Sequence, residues 1–72
     1  MADREALVRV VVLGRSVRRL PFRPGATLGD VLDDAAIDTA GRDLHVNGRP
    51  GDLNAVIGDG DLVTVIPRVR GG

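Results

Sequence analysis

A chain of 72 residues, 43% of them hydrophobic, is enough for one domain and no more. With no cysteine it has no disulfide, no thiol nucleophile and no cysteine-held metal or iron–sulfur site, and its single histidine, His45, makes no metal site alone. Ten basic residues balance ten acidic ones, which argues against nucleic acid as the main ligand, because phosphate binding calls for a basic excess.

The opening MADREALVRV carries acidic residues and no apolar stretch, so it does not read as a secretory signal. No segment approaches the roughly 18 apolar residues that cross a bilayer, and a cytoplasmic location is expected. Residues 7–13 (LVRVVVL) are β-branched and predict a strand. A turn at Gly14-Arg15 leads into a second strand over 17–22 (VRRLPF), with Leu20 and Phe22 on one face and Arg19 on the other. Pro21 inside that run implies an edge position or a strand near its end.

Pro24-Gly25 breaks the pattern, and Thr27 then stands where a helix N-cap belongs. Asp30, three residues on, completes a capping box with Asp in place of Glu. Leu28, Val31, Leu32 and Ala35 fall at i, i+3, i+4 and i+7, one helical face, while Asp33 and Asp34 lie off it. Gly41 marks the latest stop for this helix. Residues 44–46 form a short strand ended by Asn47-Gly48, a strong turn signal. Residues 49–57 are less regular, with room for a brief strand or a 3₁₀ turn. Gly58-Asp59-Gly60-Asp61 is a turn, and its two aspartates read as capping the final strand over 62–66 (LVTVI) rather than as a metal or acid–base pair. Pro67 ends that strand. The expected organisation is a domain over 1–67 and a flexible tail over 68–72.

This order predicts an α+β domain with the helix on one face of a sheet. The helical stripe should pack on Val8, Val10, Val12, Leu20, Phe22, Leu44, Val46, Val63 and Val65, leaving no internal ligand cavity. Val11, Leu13, Thr64 and Ile66 sit on the opposite parity. They form either an apolar patch for a partner or a set that simply suits strand propensity. His45 reads as a strand residue facing solvent or a partner. No nucleophile, base and oxyanion donor converge, so the chain is not expected to be an enzyme.

Three short stretches resemble the β-grasp family of ubiquitin-like proteins. Phe22-Arg23-Pro24-Gly25-Ala26-Thr27-Leu28 resembles its strand-to-helix junction. Val46-Asn47-Gly48 and Asp59-Gly60-Asp61-Leu62-Val63 resemble turns of the thiamine- and molybdopterin-type sulfur carriers (ThiS/MoaD-like). Val69-Arg70-Gly71-Gly72 resembles the C-terminus of those carriers, and Arg68-Val69-Arg70-Gly71-Gly72 resembles that of ubiquitin. The resemblance implies a mixed four- to five-stranded sheet with one helix packed across one face. It also implies that the Gly72 carboxylate is adenylated by an E1-like enzyme, which uses ATP and magnesium, with no cofactor bound to this chain itself.

The tail suits that chemistry. A carboxylate is a poor electrophile until transfer to AMP gives it a good leaving group. Gly71 and Gly72 carry no Cβ to clash with a narrow active site, and five residues extend about 16 Å. Arg68 and Arg70 would dock on acidic groups of the activating enzyme, with Val69, Thr64 and Ile66 beside them; such charges chiefly tune association rate and partner choice.

The resemblance leaves three functions open. A sulfur carrier would become a C-terminal thiocarboxylate and meet a sulfur donor or acceptor protein. A protein modifier would be conjugated to targets through Gly72 and need a conjugating enzyme and a deconjugating protease. A TGS-like module would bind RNA or nucleotide, which the neutral charge disfavours. Every basic residue is arginine, so without lysine a modifier of this sequence could not build lysine-linked chains on itself. The protein is expected to be a monomer on its own, without membrane or nucleic-acid partners.

Overall fold

A computed structural model describes residues 6–68. The strands are β1 (Leu7–Val12), β2 (Ser16–Pro21), β3 (Arg42–Val46), β4 (Arg49–Pro50) and β5 (Leu62–Pro67), with one helix, α1 (Leu28–Asp34), between β2 and β3. They form one sheet in the order β2-β1-β5-β3-β4. β1 and β5 are parallel and every other pair is antiparallel, so the sheet is mixed and its two β-branched strands are central. β2 is an edge strand and Pro21 its last residue, where a missing amide costs the ladder nothing.

Alternation decides which face of the sheet is covered. Val8, Val10 and Val12 of β1 and Val63 and Val65 of β5 point inward and are buried. Leu28, Val31, Leu32 and Ala35 of the helical stripe close over them, with Leu20, Phe22, Leu44 and Val46 half-buried at the margin. Burying a side chain of this size is worth about 1.5–3 kcal/mol, and with no disulfide this packing carries the fold. The sequence pattern did not mark Ile57, which is 2% exposed in the same cluster. It arrives there because the irregular segment crosses the start of α1. Leu28 and Gly29 donate their amides to the carbonyls of Ala55 and Leu53 (2.8 and 2.9 Å), and Ile57 donates to Ala26 (2.8 Å). Gly51 allows this crossing, since a Cβ there would meet Leu28 and Val46 side-chain atoms at 3.0 Å.

The helix begins as its sequence predicts. The Thr27 hydroxyl accepts the Asp30 amide (3.2 Å), and the Asp30 carboxylate accepts the Thr27 amide (3.1 Å). That backbone bond, and then the Thr27 hydroxyl, hold the Asp30 carboxyl below its ordinary pKa. The helix stops earlier than Gly41. Ala36 turns left-handed (φ 56°), and the amides of Ala36 and Ile37 return to the carbonyls of Asp33 and Leu32 (both 3.0 Å). This is a Schellman ending with alanine where glycine is usual.

Candidate functional site: the outer sheet face and the root of the tail

The uncovered face follows from the pairing register. Val17, Val11, Thr64, His45 and Pro50 stand opposite one another in turn, one from each strand, and form a single row across the sheet. Ile66 pairs with Asp43 one row away. Val11, Thr64, His45 and Ile66 are half-buried by their neighbours. Val17 and Leu13 are 65% and 53% exposed. Val11, Thr64 and Ile66, expected on this side, therefore share it, and the register adds Val17, Pro50 and His45, with Arg9 and Arg19 paired in the next row. Leu13 lies in the turn after β1, because the strand ends at Val12.

β5 delivers the chain out of the sheet beside this row. Pro67 ends the strand, and Arg68 remains tied to the body. Its amide donates to Gly41 O (3.0 Å) and its Nε donates to Asp43 Oδ1 (2.7 Å). Both side chains are more than half exposed, so the pair orients Arg68 more than it stabilises the fold. Val69, Arg70, Gly71 and Gly72, expected to carry the chemistry and part of the docking surface, lie outside the described residues. Asp43 was not singled out from the sequence. The signal was parity: once β3 runs antiparallel to β5, the residue two before His45 falls opposite Ile66.

The other end of the same β3–β5 ladder is held by side chains. Asn47 (φ 53°) and Gly48 (φ 82°) supply the two left-handed positions of a tight turn between β3 and β4. The Asn47 side chain then accepts the Leu62 amide (2.9 Å) and donates to Asp61 Oδ1 (3.0 Å). Asp61 Oδ2 accepts the Gly58 amide (2.7 Å). The VNG and DGD stretches are thus two halves of one structural clasp. Among the described residues no group of three or more histidines and carboxylates is placed to hold a metal. Among them, too, no helix is long and apolar enough to cross a membrane.

No protein-family model matches the chain. Solved structures do. Small archaeal modifier protein 1 from Haloferax volcanii is similar in two crystal structures. One has a TM-score of 0.73 at 20% identity, over 89% of this chain and 99% of that one. The other has 0.75 at 19%, over 92% and 99%. A ubiquitin from Caldiarchaeum subterraneum is similar with a TM-score of 0.65 at 24% identity, over 94% of this chain and 99% of that one. The fold is the ubiquitin-like β-grasp. The β-grasp explains the arrangement described above: the helix fills one face, the other stays open, and the last central strand leads from that open face into the tail.

Proposed function

We propose that this β-grasp protein is a carrier whose Gly72 carboxylate is adenylated by an E1-like enzyme and then converted to a thiocarboxylate. One observation carries the reading. A central strand leads directly to Arg68, which is fixed to Gly41 and Asp43 at the margin of the open outer face. The four residues that follow start from a set point and span at most about 13 Å when extended. Thr64, Ile66 and Arg68 present a contact surface to the activating enzyme, and Val69 and Arg70 guide Gly71-Gly72 into its site.

In the first step a carboxylate oxygen of Gly72 attacks the α-phosphorus of ATP, which is held with magnesium by the enzyme. Pyrophosphate leaves and an acyl adenylate remains. A hydrosulfide-level sulfur nucleophile then attacks the acyl carbon and expels AMP, leaving the thiocarboxylate. No redox change is needed at that level of sulfur.

A second reading is conjugation of Gly72 to other proteins through an amide bond. It is favoured by the likeness to structures named as a modifier and a ubiquitin, and by the Arg68-x-Arg70-Gly-Gly sequence. Lacking lysine, a modifier of this kind would be attached singly or extended through its N-terminus. Incubation with the cognate adenylating enzyme, ATP and a sulfide source, followed by intact-mass measurement, tests both. Replacement of one oxygen by sulfur, at Gly72 as the last residue, supports the carrier. Covalent adducts on other proteins that vanish when Gly72 is deleted support the modifier. A protein lacking Gly71 and Gly72 that is activated as well as the intact one overturns both.

A further inference from the structure

The balanced net charge hides a segregated one. From Leu7 to Arg23 there are five arginines and no acidic residue, whereas from Pro24 to Asp61 there are eight aspartates and two arginines. Three of the arginines meet at one place. A surface cleft of about 370 Å³ lies between the β1–β2 turn, the C-terminal end of α1 and the start of β3. Arg15, Arg18 and Arg42 are among its lining residues, with Val12, Ala35 and Ile37 supplying apolar surface.

Two of these arginines are already oriented by backbone oxygens. Arg18 donates Nη1 to Ala35 O (3.1 Å), at the negative end of the helix, and Arg42 donates Nη1 to Asp38 O. Each guanidinium keeps further N–H groups beyond the bond it makes. Among the described residues Arg15 is held by its backbone amide alone, to Val12 O (2.9 Å). Among the described residues none of the three is in a salt bridge; the pairs formed there are Arg23–Asp34 and Arg68–Asp43. The one carboxylate lining the cleft, Asp38, accepts the Ala40 amide through Oδ1 (3.0 Å). Three cations against one carboxylate, around a concave surface, focus a positive potential on one small volume.

We propose that this cleft binds a small ligand through a multiply charged oxyanion of the phosphate class. Guanidinium groups match phosphate oxygens in a planar, two-bond geometry, and the volume falls at the small end of known ligand sites. Convergence from three separate elements on one bounded volume, rather than a stripe along β2, favours a compact anion over an acidic strand of a partner protein. The inference stands apart from the proposed activation of Gly72, since no residue of the cleft belongs to the tail or the outer face.

The test is an NMR amide titration of the full chain with inorganic phosphate, pyrophosphate and a nucleoside diphosphate, at fixed ionic strength. Saturable shifts confined to Arg15–Arg18, Ala35–Asp38 and Arg42 are expected. Tighter binding of the nucleotide than of pyrophosphate would mark an organic phosphate as the ligand; equal binding would mark the free anion. Arg15→Gln leaves every described side-chain bond intact and should weaken binding about tenfold, the effect of one charge-assisted hydrogen bond. Arg49→Gln, outside the cleft, should leave binding unchanged. Non-saturating shifts, or equal weakening by the Arg15 and Arg49 variants, overturn the site. So does a glutamate-rich peptide that binds there more tightly than any of the three anions.

Discussion

The two ends of the β3–β5 ladder do opposite jobs. At one end Asn47 and Asp61 bind side chain to backbone and to each other, and two strands and two turns are locked. At the other an exposed Arg68–Asp43 pair and one amide bond to Gly41 hold the place where the tail departs. The clasp joins two turns through three hydrogen bonds, two of them made by the Asp61 carboxylate, and bonds to a charged group contribute more than neutral ones. The exposed pair gains little from its charges, so it sets where the tail leaves the sheet while adding little to the stability of the fold. The contrast suits the proposed role, in which the domain holds its sheet while its terminus enters an activating enzyme.

The largest effect should come from breaking the clasp. Asn47→Ala loses both side-chain bonds, leaves the Leu62 amide to water and puts a Cβ-bearing residue without a compensating bond at φ 53°. The expected loss is about 2–3 kcal/mol in chemical unfolding. Asn47→Gly separates the parts: it relieves the backbone and should cost less than alanine. Asp61→Ala combined with Asn47→Ala should cost less than the sum of the two, because they share a bond. Full additivity would show the clasp is not a unit.

The Arg68 end contains a position that invites repair. The loop leading from α1 to β3 starts at Ala36, held left-handed by the Schellman bonds. Ala36→Gly removes that strain, and the gain should outweigh the added freedom of the unfolded chain, leaving about 0.5–1 kcal/mol of stabilisation. Destabilisation instead would mean that the Ala36 methyl contributes packing that outweighs its backbone cost.

How legible this was depends on the kind of interaction. The capping box at Thr27 and Asp30, the helical stripe and the alternation of β1 and β5 were all readable, because each is written in residues close in sequence. Ile57 was not, because nothing near it alternates; it is buried only once the irregular segment crosses α1. The early end of the helix was not, because alanine gives no sign of a left-handed conformation. The clasp was half readable. Asn47-Gly48 and Asp61 each announced a turn, but the bond between them spans 14 residues and needs the β3–β5 register. The outer face was readable as parity, and Asp43 escaped because the apolar signal of its strand begins at Leu44 whereas the strand itself begins at Arg42.

The smallest stability effect, and the sharpest functional one, should come from Asp43→Asn. The pair is exposed at both ends, so stability should change by less than about 0.5 kcal/mol. If the body sets Arg68 for docking, the variant raises the KM for activation several-fold and leaves kcat in place. Arg68→Gln should do the same, and the double variant should be no worse than Arg68→Gln alone, because Asp43 acts only through Arg68. A lower KM for Asp43→Asn would reverse the assignment: Asp43 would then be holding Arg68 back from an acidic group on the enzyme. Independent, additive losses would mean that Asp43 meets the enzyme directly, as part of the outer face it shares with Ile66.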